Sequence, residues 1–133
     1  GKDLLLGRAC TRIAKMALMN DETIYILNCE KMVISGARDN ILARYRHRRT
    51  RTDAFKGPYF PRKAERIVKR CLRGMLPYKQ ERGLTALKKI KCYEGIPFEM
   101  QNKKMESIEG ANVKKTNITK FLRVGEIAKE LGR

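Results

Sequence analysis

Residues 62–77, RKAERIVKRCLRGMLP, carry two patterns on one helical repeat, and together they leave the chain few ways to fold. Ala64, Ile67, Val68, Cys71, Leu72 and Met75 recur at i, i+3, i+4, i+7, i+8 and i+11, the spacing of a single apolar helix stripe. Arg62, Arg66, Lys69 and Arg73 recur at i, i+4, i+7 and i+11 on another face. Like charges one turn apart repel by a few tenths of a kcal/mol unless an anion lies among them. Burying a large apolar side chain contributes about 1.5–3 kcal/mol. Packing therefore wins: the stripe must face a core, and the cationic row is held toward whatever lies outside. Met75 and Leu76 extend the stripe, Pro77 cannot continue a helix, and Gly74 is expected to let the helix approach another backbone closely. The chain should turn outward at Pro77 and present Lys79 and Arg82 from an anchored turn, which loses less conformational entropy on binding than a mobile tail.

That row belongs to a wider asymmetry. Of 133 residues, 31 are Lys or Arg and 14 are Asp or Glu, a net charge of +17. Residues 38–91 hold 18 of the basic and 4 of the acidic side chains, so +14 of the excess lies there. Self-repulsion of this size is most easily relieved by a polyanion, which points to nucleic acid. Residues 44–51, RYRHRRTR, contain five arginines and no acid. Arg44, Arg46, Arg48, Arg49 and Arg51 suit phosphate contacts, with Tyr45 and His47 interleaved to stack on exposed bases. Lys56 and Tyr59 in the turn KGPYFP, and Arg70 beside the cationic row, extend the same candidate surface. An anionic membrane is the competing partner. No apolar run approaches the roughly 20 residues that span a bilayer, and no signal-peptide or lipidation pattern appears, so a cytoplasmic nucleic-acid binder is expected.

Around this middle, helices and short strands alternate. Leu6, Ala9, Cys10, Ile13 and Ala17 make an amphipathic helix with Arg8, Arg12 and Lys15 on its basic face. Residues 23–29, TIYILNC, fit a buried strand, and their near-continuous apolarity suits a parallel sheet covered on both sides. After a further short apolar run, Ser35 and Gly36 are placed to cap a helix that Ala37 begins. Strand, glycine and helix in this order also outline a phosphate-binding loop, but the multi-glycine and Gly-Lys-Ser/Thr signatures are missing. Residues 98–117 are polar, of mixed charge and weakly periodic, and read as an irregular loop over RNA, a neighbouring protein or solvent. Val124, Ile127, Ala128 and Leu131 make a last short helix ended by Gly132.

Chemistry other than binding finds little support. Cys10, Cys29, Cys71 and Cys92 contain no C-x-x-C pair, and His47 is the sole histidine, so a four-ligand zinc site lacks its spacing. The cysteines read as small buried thiols of a reducing compartment, with disulfides of a secreted protein as the alternative. A small RNA-processing enzyme would need clustered carboxylates or a base beside a nucleophile. The acids here are scattered, and His47 amid arginines suits stacking or a phosphate contact. A sequence-specific DNA regulator would show a recognition-helix pattern or a dimer interface, and neither is found.

VISG at residues 33–36, GPY at 57–59, RGMLPYKQERGLTAL at 73–87, KCYEGIP at 91–97 and VGEIAKELG at 124–132, with LLGR at 5–8, are similar to ribosomal protein thirteen of the large subunit in its archaeal and eukaryotic form. The pieces span the chain in the family's order, and RGMLP followed by K-x-x-R-G is the most specific of them. The resemblance implies one α/β domain over residues 1–133, three-layered α/β/α with a small, mainly parallel four-stranded sheet. It further implies a structural constituent of the large ribosomal subunit that binds and organises large-subunit ribosomal RNA during assembly and translation. Neighbouring ribosomal proteins would be further partners, with no catalytic site, metal, cofactor or small-molecule substrate. Where the family usually has a histidine-phenylalanine pair after GPY, this chain has Phe60-Pro61, so a contact by that histidine does not carry over. Members commonly open with a strand before the Gly-Lys turn that here is Gly1-Lys2, so that strand is either missing or this edge of the sheet is built differently. Eukaryotic members often extend beyond the last helix with a basic tail, which the sequence ending at Arg133 does not show.

Overall fold

The structure, a computed structural model, describes residues 1–132. Among them α1 (Leu6–Met19), α2 (Arg38–Thr50), α3 (Ala64–Met75), α4 (Glu81–Lys89) and α5 (Val124–Glu130) accompany four strands of three residues each. The strands are β1 (Ile24–Ile26), β2 (Val33–Ser35), β3 (Ile90–Cys92) and β4 (Phe121–Arg123). The mixed α/β class is as the sequence predicts.

Helical periodicity converts directly into burial. α1 buries Leu6, Ala9, Cys10, Ile13, Ala14 and Ala17, and α3 buries Ala64, Ile67, Val68 and Leu72. The α3 stripe narrows at its end: Cys71 is half-buried and Met75 is exposed, while Leu76 is buried as the helix stops. α1 packs across α3 and α4, and α3 also meets β3 and α5, so most apolar side chains join one core. The first turn of α3 is closed from outside, where the Glu94 carboxylate accepts the Ala64 N–H at 3.1 Å.

The expected four-stranded, mainly parallel sheet is not formed. β1 pairs in parallel with β3, Ile24 opposite Ile90 and Ile26 opposite Cys92, whereas β2 pairs antiparallel with β4, Val33 opposite Arg123 and Ser35 opposite Phe121. The predicted strand over residues 23–29 is cut short because Asn28 takes a left-handed conformation (φ 54°) and a 3-10 turn, Cys29–Lys31, redirects the chain. That turn separates β1 from β2, leaving two pairs of strands. The other side of β2 meets the first residues: Leu5 bridges to Val33 in parallel and Leu4 bridges to Asn112.

One further expectation is corrected. Ser35 and Gly36 do not cap α2: Ser35 lies in the β2–β4 ladder, the Gly36 N–H donates to the Lys120 carbonyl, and the N-cap is Ala37 with no side-chain bond. Residues 98–117 are tied down by three 3-10 turns, Phe98–Met100, Glu109–Ala111 and Val113–Lys115. They bury Met100, Ala111 and Val113. The Leu5 N–H donates to the Ala111 carbonyl at 2.7 Å and the Val113 N–H to the Asp3 carbonyl at 3.0 Å, so this segment lies against the chain's own start. Gly132 follows α5 with φ +80°, the predicted glycine stop.

Candidate nucleic-acid interface

The corner after α3 is built around a glycine, though not the one the sequence suggests. Leu76 leaves the helix in an extended conformation, the Gln80 N–H donates to the Pro77 carbonyl, and α4 begins one residue later. A Cβ on Gly74 would meet nothing within 4 Å, so no backbone approaches it. On Gly83 a Cβ would lie 2.1 Å from the Pro77 oxygen and 2.3 Å from its carbonyl carbon. Only glycine permits α4 to sit this close beneath the turn. Arg73 lies over the Tyr78 ring at 4.3 Å from its centroid, which fixes the last cation of the α3 row against the corner. Lys79 is exposed on the turn.

Three of the four cations of the row lie at the surface. Arg62, Arg66 and Arg73 are exposed and Lys69 is half-buried. Arg66, Lys69, Arg70 and Arg73 line one shallow cleft of about 210 Å³ with Pro61 and Leu87. Arg62 and Arg66 share a second, of about 410 Å³, with Tyr59 and Lys63. Lys63 is a cation the sequence reading missed, although its place beside Arg62 was the available signal.

Phe60 organises the next part of the surface. It meets the Tyr45 ring edge-on, with centroids 5.5 Å apart, and lies beneath two guanidinium groups, Arg70 at 4.8 Å and Arg48 at 5.8 Å. Arg70 also donates to the Tyr59 carbonyl at 2.7 Å. The residue at which this chain departs from the family pattern thus holds two arginines by its ring faces. Arg48, Arg51 and Arg70 line a cleft of about 460 Å³ together with Tyr45, Pro58, Phe60, Ile67, Cys71 and Gly74. Tyr45 is not available to stack on a base: it is 6% exposed, part of the core beneath Arg48. Burial also pushes its phenol above the ordinary tyrosine range. On the loop between α2 and α3 the exposed aromatics are Tyr59, whose hydroxyl donates to the Ala54 carbonyl, and Phe55 at 92% exposure. Phe55 was not singled out because a lone apolar residue beside Lys56 carries no periodicity.

Other predicted contacts lie elsewhere. Arg46 pairs with Glu130 at 2.8 Å and Arg49 donates to the Leu131 carbonyl, so both reach α5. Arg38 continues this ladder to Glu126 at 3.1 Å. Arg44, His47, Arg51 and Lys56 are exposed. Arg8 and Arg12 are exposed on α1, with the Arg12 guanidinium close to Gly110. Arg82 faces a mixed-charge cleft between α1 and α4 with Asp21, Glu81 and Lys89. Asp21 is held below the usual carboxylate range by its bond to Lys89.

All four cysteines are free thiols, in two pairs. The neighbouring Cys71 raises Cys10, and Cys10, with help from Arg48 and against burial, lowers Cys71 to about 7. Cys29 and Cys92 repeat the arrangement, Cys29 raised and Cys92 lowered by each other's presence, while the Cys29 thiol donates to the Ile26 carbonyl at 3.5 Å. Cys10 and Cys29 are buried as expected, while Cys71 and Cys92 are partly accessible. Among the described residues no three His, Cys, Asp or Glu side chains could hold a metal ion together, and no helix is long and apolar enough to cross a membrane.

Known proteins match this sequence along almost its whole length. The model of the family described as Ribosomal protein L13 matches residues 1–99. The Large ribosomal subunit protein uL13 of Methanosarcina barkeri is 43% identical over 129 residues, covering 97% of this chain and 92% of that protein. The proteins of the same name from Methanococcoides burtonii and Archaeoglobus fulgidus are 40% and 42% identical, covering 97% and 96% of this chain and 92% and 82% of their own length. A family match over three-quarters of the chain, with relatives at these identities across almost all of it, shows that the chain belongs to the ribosomal protein L13 family.

Proposed function

We propose that the protein is a structural constituent of the large ribosomal subunit in the cytoplasm, a single unit that binds and organises large-subunit ribosomal RNA during assembly and translation. The observation that carries this reading is the α3 row. Arg66, Lys69 and Arg73 line one cleft while Ile67, Val68 and Leu72 of the same helix are buried, so packing holds the cations together before RNA arrives. Arg62, Arg70 and Lys79 continue the row, Arg48, Arg51, Lys56 and Tyr59 flank it, and Arg44 and His47 add cationic and stacking capacity along α2. Arg8, Arg12 and Arg82 serve separate RNA segments on the α1 and α4 side. Arg46 and Arg49 contribute mainly by fixing α2 against α5, with Arg46 still open enough to meet a phosphate. Neighbouring large-subunit proteins complete its surroundings, and it performs no catalysis.

The relatives' shared name supports the ribosomal assignment, and the cationic clefts support RNA as the direct partner. Binding of the whole chain to large-subunit ribosomal RNA and to transfer RNA at near-physiological salt tests both. Tighter binding to ribosomal RNA, and retention on large subunits after a high-salt wash, are expected. Equal affinity for the two RNAs, or release in the wash, overturns the ribosomal role.

A further inference from the structure

Gly74 is a glycine without an internal reason. It sits in the last turn of α3, where glycine is costlier than alanine because its backbone is freer when unfolded. Nothing in the chain would touch a Cβ there. The space it leaves open belongs to the cleft between α2 and α3, lined by the cationic Arg48, Arg51 and Arg70, by the apolar Pro58, Phe60 and Ile67, and by the Cys71 thiol. At about 460 Å³ the cleft falls in the size range of small-ligand sites, with apolar side chains and a few cationic groups in its lining.

Charge and geometry select the occupant. The permanently charged side chains of the lining are all cationic, so the ligand is anionic in part, and most of the rest is apolar, so the ligand is flat or apolar where it enters. The chemistry that combines both is a nucleotide: a base to insert, phosphates to remain outside. A base-paired duplex presents only its backbone to such a cleft and leaves its apolar side chains without a partner. Arg48 and Arg70 are already seated on Phe60 at 5.8 and 4.8 Å, so their guanidinium planes are ordered before a base stacks on their outer faces.

We propose that the cleft between α2 and α3 receives one unpaired RNA base, stacked on the Phe60-held guanidinium groups, with Gly74 as the clearance for its edge and Arg51 on its phosphate. This rests on RNA as the partner and adds what part of the RNA is read: an extruded nucleotide, by shape and stacking. The α3 row grips the neighbouring backbone without distinguishing paired from unpaired segments.

The test fills the clearance without touching the cations. Gly74→Leu places a good helix former where there is room, and Gly74→Ala is a smaller version that keeps the fold in any case. Both are compared with the unaltered chain for affinity to large-subunit ribosomal RNA, with thermal melting as the control for folding. Chemical probing of unpaired bases in the bound RNA provides the second readout. Gly74→Leu should lower affinity at least about tenfold and restore reactivity at a base the unaltered protein protects, with Gly74→Ala between the two. A short single-stranded RNA carrying one 2-aminopurine forms an independent arm, its fluorescence changing with the unaltered protein and not with Gly74→Leu. Binding by Gly74→Leu within about twofold, with the same bases protected and the same fluorescence change, overturns the proposal. Loss of preference for ribosomal over transfer RNA would overturn the ribosomal role instead, and the 2-aminopurine arm still decides the cleft.

Discussion

Two glycines nine residues apart should respond to the same substitution with opposite sign. In Gly83→Ala the new methyl lies 2.1 Å from the Pro77 oxygen and 2.9 Å from the Tyr78 nitrogen, where ordinary contact begins at 3.4 Å. Its neighbours are backbone atoms of a proline turn, so relief requires α4 to move off by more than about 1 Å. Overpacking of this kind costs about 1–3 kcal/mol, toward the upper end when no side chain can yield. The helical preference of alanine returns up to about 1 kcal/mol, so a net loss of about 2 kcal/mol is expected. Gly74→Ala meets no atom and should gain about 0.5 kcal/mol from the lower entropy of its unfolded chain. For a chain of this length, unfolding entropy of about 2.1 cal/mol/K per residue makes 1 kcal/mol worth roughly 3–4 °C. Circular-dichroism melts of RNA-free protein should therefore place Gly83→Ala about 7 °C below the unaltered chain and Gly74→Ala about 2 °C above it. A Gly83→Ala protein melting with or above the unaltered one would refute the close approach of α4 to Pro77.

The α3 row makes the salt dependence of RNA binding a residue-level observable: Arg66→Gln and Arg73→Gln should each reduce the slope of log K against log salt by about 1, whereas Arg46→Gln, already paired with Glu130, should change it much less. Equal effects of all three would remove the distinction between the α3 row and the α2–α5 ladder. Cys71, lowered to about 7 by Cys10 and Arg48, should react with a thiol-alkylating reagent ahead of Cys10 and Cys29, its rate rising as pH passes through about 7 and the thiolate forms. Peptide mass spectrometry showing Cys10 labelled first would contradict the pairing. Leu72→Ala, at 0% exposure in the α1–α3 core, should cost about 2–5 kcal/mol, read as a lowered urea midpoint with an unchanged slope.

What the sequence revealed and what it hid follow the range of the interactions. The two faces of α3 could be read directly, because residues three and four apart settle which side chains share a side, and burial then confirms Ile67, Val68 and Leu72. Tyr45 could not, since its role as a core residue depends on Phe60, fifteen positions away, arriving edge-on. Arg46 and Arg49 look like their neighbours until Glu130 and the Leu131 carbonyl come up beside them from more than eighty residues on. The sheet was misjudged for a related reason: apolar residues 23–29 announce burial, but where the strand stops is decided by one left-handed residue, Asn28. The glycines of the corner show the same limit, as both can be recognised as special and only coordinates tell that Gly83 touches backbone and Gly74 touches nothing.

The antiparallel pairing of β2 with β4 joins stretches of chain almost ninety residues apart, and α5 follows at once to bury Val124, Ile127, Ala128 and Leu131. A nascent chain that has exposed everything as far as residue 120 therefore still has an open β2 edge and an uncovered hydrophobic hollow. Its cationic surface, by contrast, has emerged in full much earlier. Synthesis thus delivers the charges before the lid of the core, and a polypeptide halted short of β4 would be sticky for nucleic acid while lacking the rigidity to bind it selectively.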